Sequence, residues 1–90
     1  MATGTIQKPL FPTYIDITVT PNSNGVFQFN SASGGVVDWT NFLSAYVIGK
    51  NYTSVDVYTY SNLLYGRLRN FENISVAETT EATVRVWYRK

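Results

Sequence analysis

The stretch from Ser54 to Arg69 constrains the fold more than any other part of the chain, because it reads as two alternating runs joined by a two-residue turn. With Ser61-Asn62 as the turn and Asn62 taking a left-handed conformation, the register pairs Tyr60 with Leu63, Tyr58 with Tyr65, Asp56 with Arg67 and Ser54 with Arg69. The pairs between them are Thr59 with Leu64, Val57 with Gly66 and Val55 with Leu68. One face then collects Val55, Val57, Leu64 and Leu68 for a core, and the other collects Tyr58, Tyr60, Tyr65, Asp56, Arg67 and Arg69. A slip of one residue would mix the two faces, since side chains alternate with a period of two. The opposed Asp56 and Arg67 support this register by about 0.2 to 1 kcal/mol.

The rest of the chain reads in the same period. Tyr14 to Thr20 alternates strictly, with Ile15, Ile17 and Val19 on one face. Pro21-Asn22-Ser23-Asn24-Gly25 is dense in turn formers and precedes Val26 to Phe29, whose two Phe share a face, so a hairpin is predicted here. Ser31 to Gly35 reads as a flexible loop. Between Asp38 and Tyr46, Trp39, Phe42, Leu43 and Tyr46 take helical spacing with Asp38 as an N-cap. A short turn followed by a strand near Ala45 to Ile48 is the preferred reading. Trp39 is expected to plug the core beside Phe42, with a sugar-stacking platform as the alternative. Phe71 to Thr80 reads as polar and turn-rich. Ala82 to Arg89 is a strand with Ala82, Val84, Val86 and Tyr88 on one side and Thr83, Arg85, Trp87 and Arg89 on the other. Six or seven short strands predict an all-β, antiparallel sandwich or barrel for residues 13–90. The prolines at positions 9 and 12 restrain the chain before it, so Met1 to Pro12 is expected to be an extended N-terminal arm.

Composition removes most chemistry. The chain has no Cys and no His, which excludes disulfides, thiolate metal sites and imidazole bases. Seven Lys plus Arg against six Asp plus Glu leave a net charge of +1, without the basic field that phosphate backbones require, so no nucleic-acid partner is expected. Catalysis would rest on Asp16, Asp38, Asp56, Glu72, Glu78 and Glu81, and paired carboxylates need a cleft that 90 residues have little material to build. No enzyme, cofactor or metal site is expected. The longest apolar stretch, Phe42 to Ile48, is far short of the roughly 18 to 20 residues of a membrane span, and the first residues lack the apolar centre of a secretory signal. A soluble chain without membrane insertion is therefore expected. The sequons at Asn51 and Asn73 are expected by chance in a chain this rich in Asn, Ser and Thr.

Only 14% of residues are charged while 16% are aromatic, including seven Tyr. Interfaces are depleted in charge and enriched in Tyr, Trp and Arg, so Tyr58, Tyr60, Tyr65, Arg67 and Arg69 form a candidate assembly surface, to which Trp87 of the last strand could contribute. Stacking on carbohydrate and an ordinary exposed sheet face are the alternatives for the same residues.

Thr53-Ser54-Val55-Asp56-Val57-Tyr58-Thr59-Tyr60-Ser61-Asn62, Tyr65-Gly66-Arg67-Leu68-Arg69-Asn70 and Thr83-Val84-Arg85-Val86-Trp87-Tyr88 together resemble the closing hairpin and last strand of small β-sandwich modules in tailed-bacteriophage fibre and spike proteins. The opening Gly4-Thr5-Ile6-Gln7-Lys8-Pro9 also looks like the start of short phage virion proteins. The resemblance covers roughly half the chain. It implies a jelly-roll-like sandwich, usually trimeric, located in the virion as a head fibre, spike, capsid decoration or short tail-fibre tip, and it carries no catalytic residues. Only a dozen residues precede the domain, where phage fibres usually carry a long shaft, which favours a small accessory piece. The arm is then expected to join other virion proteins through Ile6, Leu10 and Phe11, and a host-surface glycan is a further candidate partner. A carbohydrate-binding β-sandwich module is the rival reading.

Overall fold

The computed structural model describes residues 12–50 and 52–90. The expected arm, with Ile6, Leu10 and Phe11, lies outside the described residues except for Pro12, as does Asn51. Among the described residues the chain forms β1 (Pro12–Val19), β2 (Val26–Gln28), a single helical turn α1 (Phe29–Ala32), β3 (Phe42–Ile48), β4 (Thr53–Tyr60), β5 (Leu63–Asn70), β6 (Asn73–Ala77) and β7 (Ala82–Arg89). The protein is thus mostly β-strand with almost no helix. One sheet runs β1-β7-β3; the other runs β2-β5-β4, with β6 also on β5. Every pairing is antiparallel. Because β4 occupies one edge of β5 along its whole length, β2 and β6 share the other edge, β2 opposite residues 65–67 and β6 reaching Asn70.

The β4–β5 hairpin has the register its sequence predicts at every pair, from Ser54 with Arg69 to Tyr60 with Leu63, and extends it by Thr53 with Asn70. Ser61 and Asn62 take φ of 53° and 64°, the twist that lets a two-residue loop join strands without splaying them. Alternation also holds in β1, where Ile17 and Val19 are buried and Tyr14, Asp16 and Thr18 are exposed. In β7 Ala82, Val84 and Val86 are buried between its two neighbours. Both sheets contribute to one buried cluster, with Ile17, Val19, Val84 and Val86 from the first and Phe27, Leu64 and Leu68 from the second. Phe29 and Val37, from α1 and the loop after it, complete its centre. Gly66 lies beneath this cluster for a steric reason: a Cβ there would sit 2.5 Å from the Phe27 ring and 3.0 Å from that of Phe29.

Four expectations are corrected. The first two strands do not form a hairpin. The turn closes as its residues suggest, with the Asn22 carboxamide oxygen accepting the Asn24 N–H at 2.8 Å and the Val26 N–H at 3.1 Å. The chain nevertheless changes sheet there, β1 pairing with β7 and β2 with β5. Gly25 makes the transfer: its carbonyl accepts the Leu68 N–H at 2.7 Å, its φ is +77°, and a Cβ would lie 2.6 Å from the Leu68 carbonyl oxygen. Only glycine combines that backbone conformation with that approach.

The loop expected at Ser31 to Gly35 begins as α1, which Ser33 closes by donating its N–H to the Phe29 carbonyl at 3.0 Å. Trp39 is not a core plug; it is 52% exposed. The helical spacing around it is not realised, because residues 38–41 form a tight turn and β3 starts directly at Phe42, ahead of the expected Ala45. That geometry sends Phe42 toward Phe29, ring centroids 5.6 Å apart, and leaves Trp39 outside. Finally, the polar stretch after Phe71 contains β6. The Asn70 side chain accepts the N–H groups of Glu72 and Asn73 at 2.9 and 3.2 Å, turning the chain back along the edge of β5 beyond β2.

Candidate functional site

The outer face of the second sheet carries most of the residues singled out in the sequence. Tyr58 and Tyr65 face each other across the β4–β5 ladder, with ring centroids 5.6 Å apart and planes only 19° from parallel. The Arg67 guanidinium lies 5.8 Å from the Tyr58 centroid. Asp56 stands opposite Arg67 in the backbone register, as expected, yet its carboxylate pairs with Arg69, Oδ2 to Nε at 2.8 Å. The expected Asp56–Arg67 pair is replaced because long side chains also reach the diagonal neighbour, and Arg67 is laid toward Tyr58 instead. Its Nε is buried and has no hydrogen-bond partner among the described residues.

Trp87 is not brought to that surface. It projects from β7 on the outside of the other sheet, 5.0 Å from the Tyr14 ring, and its indole N–H points to the Tyr46 hydroxyl at 3.5 Å. Beside it Arg85 makes two bonds to Asp16, at 2.9 and 3.1 Å, and lies 4.4 Å over the Tyr14 ring. The bond from Arg85 holds the Asp16 carboxyl below the usual carboxylate range, and the same bond raises the guanidinium further. The six assembly residues therefore divide between two sheets whose inner faces share one core.

Two other carboxylates, Asp38 and Glu78, have local structural partners. Asp38 accepts the Thr40 N–H at 2.8 Å and bonds the Thr40 hydroxyl, which lowers its pKa. Glu78 bonds the Thr80 hydroxyl and lies 3.7 Å from Lys50, and its pKa is also lowered, chiefly by Thr80. Among the described residues no three His, Cys, Asp or Glu side chains gather as a metal-holding group.

Trp39, for which a sugar-stacking platform is the alternative, meets neighbours the sequence did not point to at the tip of the β4–β5 hairpin. Trp39, Thr59, Tyr60, Ser61 and Asn62 line a depression of about 320 Å³. Tyr60 is 69% exposed, so two large rings border uncharged polar groups. The available signal was Asp38 and Asn41 flanking Trp39, a pairing better suited to side-chain-capped turns than to a helix interior. Comparison with protein-family models, curated proteins and solved structures finds no match to this chain.

Proposed function

We propose that the chain is a non-enzymatic structural module of a tailed-phage virion, a head fibre, spike, decoration protein or short tail-fibre tip, that acts by assembling as a homotrimer. In this reading the two sheets are the layers of a jelly-roll-like sandwich, supported by their common core and by the chain's passage from one to the other at Gly25 and again after Gln28. The residues before β1 act as the arm that joins other virion proteins, Pro12 itself being paired with Arg89.

The observation that carries the assembly reading is Arg67. Its Nε–H is desolvated without a partner among the described residues, on a face bearing Tyr58 and Tyr65. An unmet buried donor costs about 1 to 3 kcal/mol, more when charged, and an acceptor from a neighbouring subunit removes that cost. Tyr and Arg are also the side chains that anchor interfaces. Light scattering coupled to size exclusion at micromolar concentration tests this. The expected mass is three times the 10.1 kDa of the chain; a monomer of ordinary stability overturns the reading. A carbohydrate-binding module is the second reading, favoured by the exposed rings of Trp39 and Tyr60.

A further inference from the structure

We propose that the hairpin tip formed by Trp39, Thr59, Tyr60, Ser61 and Asn62 is a binding site for a neutral pyranose, with the sugar's C–H face stacked on the Trp39 indole. The site makes the second reading specific but does not depend on it, since a trimeric virion protein would present the same tip. It rests on three observations.

First, Trp39 is held out, not merely left out. The Asp38 carboxylate takes the Thr40 N–H at 2.8 Å, the Asn41 side chain accepts the Asp38 N–H at 2.9 Å, and the Asn41 amide donates to the Val36 carbonyl at 2.9 Å. Side chains on both sides of the ring thus fix the turn that presents it, and a pre-organised platform loses little entropy on binding. Second, the polar groups around the rings are uncommitted. The Thr59 and Ser61 hydroxyls, the Asn62 amide and the Trp39 indole N–H make no hydrogen bond to other described residues, whereas the Trp87 indole has Tyr46. Asn62 supplies two donors and an acceptor, and the hydroxyls supply both roles, the mixture that sugar hydroxyls need. Ser61 holds φ of 53° in a turn where glycine or asparagine would be more comfortable, so a hydroxyl is kept at some conformational expense. Third, every lining residue is uncharged, which selects a neutral sugar over a sialic or uronic acid, and a depression of about 320 Å³ accommodates one ring with its first hydroxyls.

The test uses the Trp87→Phe protein, in which Trp39 is the only remaining Trp of two, so its fluorescence reports on the tip alone. Methyl glycosides of glucose, galactose, mannose and N-acetylglucosamine are titrated, with a sialoside as the charged comparator, and saturation-transfer NMR on the wild type identifies the contacting sugar protons. The expected result is a saturable emission change for at least one neutral glycoside, with a Kd of about 1 mM, a binding free energy near −4 kcal/mol. In otherwise wild-type protein the saturation-transfer signal is expected to fall at least about tenfold in Trp39→Ala and in part in Asn62→Gly, which keeps the turn. The mass of Trp39→Ala should equal that of wild type, which separates this site from the assembly surface. Three outcomes overturn the proposal: no saturable response to any neutral glycoside at about 50 mM, equal binding of the sialoside, or Trp39 emission already shielded from acrylamide in the native assembly.

Discussion

Each sheet places an arginine at the middle of its central strand with an aspartate directly opposite, Arg85 across from Asp16 and Arg67 across from Asp56. The outcomes differ. Arg85 binds Asp16 through two nitrogens, while Arg67 gives up Asp56 to Arg69 and keeps a buried Nε without a partner among the described residues. The backbone registers are equivalent, so the cause lies two residues farther along each central strand. Two residues beyond Arg85 stands Trp87, and two before it Thr83, neither with a charge to offer; two beyond Arg67 stands Arg69, which competes for the same carboxylate. An opposed Asp and Arg therefore do not define a salt bridge by themselves, and the neighbour decides which arginine is completed within the chain. The completed one needs nothing from outside. In the proposed assembly, the other marks the face where a second subunit would supply an acceptor.

The largest effect should come from reversing the incomplete arginine. Arg67→Glu sets a second carboxylate opposite Asp56 on the proposed contact face, and the mass by light scattering should drop to that of the single chain. Arg85→Met, on the completed side, should leave the mass unchanged. Equal masses for Arg67→Glu and wild type, with equal thermal stability, would remove the contrast between the faces. Arg67→Met, which keeps the stem without the unmet donor, guards against a folding artefact: a folded monomer is the expected result.

Next in size is Gly66→Ala, which acts from below the same face. The added methyl would press on the rings of Phe27 and Phe29, whose centroids are 4.8 Å apart. Overpacking of this kind costs about 1 to 3 kcal/mol, read as a lower urea midpoint with an unchanged slope. A neutral result would mean that the rings can yield, and that the second sheet is not held as rigidly as the comparison assumes.

The β4–β5 face was legible from the chain because its determinants are local. A two-residue turn and strict alternation set a register from Ser54 to Arg69 without reference to any other strand. The partner of Asp56 was not legible, since choosing between Arg67 and Arg69 depends on where Tyr58 places the guanidinium in space. Long-range pairing defeated the expected β1–β2 hairpin: eight residues of β1 find a full-length partner in β7, whereas β2 offers only three. Trp39 misled for another reason. Its spacing to Phe42, Leu43 and Tyr46 imitates a helix, but the side chains of Asp38 and Asn41 bond to local backbone groups and hold a turn instead.

A smaller change converts one face toward the other. Arg69→Thr removes the competing charge beside Arg67, leaving Asp56 free to pair with the guanidinium directly opposite. The variant should fold with little loss, because exposed pairs of this kind contribute at most about 1 kcal/mol. Its self-association should weaken, since Arg67 is now satisfied internally. Unchanged dissociation on serial dilution would show that the unmet donor does not drive assembly.

The smallest expected effect is read on acidification and centres on the completed face. The folded-state pKa of Asp16 is depressed by its bond to Arg85, and those of Asp38 and Glu78 by their bonds to Thr40 and Thr80. A carboxyl whose pKa is lower folded than unfolded stabilises the fold above its unfolded value of about 4, and that contribution is lost as pH falls through the folded value. Stability should therefore decline on acidification below about pH 5 as these groups take up protons. Asp16→Asn removes one of the three contributions while keeping the side-chain shape. The variant should be slightly less stable than wild type at pH 7, and the difference should shrink toward zero as pH drops below the depressed pKa of Asp16. Chemical unfolding at pH 7, 5 and 3 reads this directly. A gap that stays constant over that range would mean that the Asp16–Arg85 bond stabilises through its shape rather than its charge, and that the two faces differ less in electrostatics than their hydrogen bonds indicate.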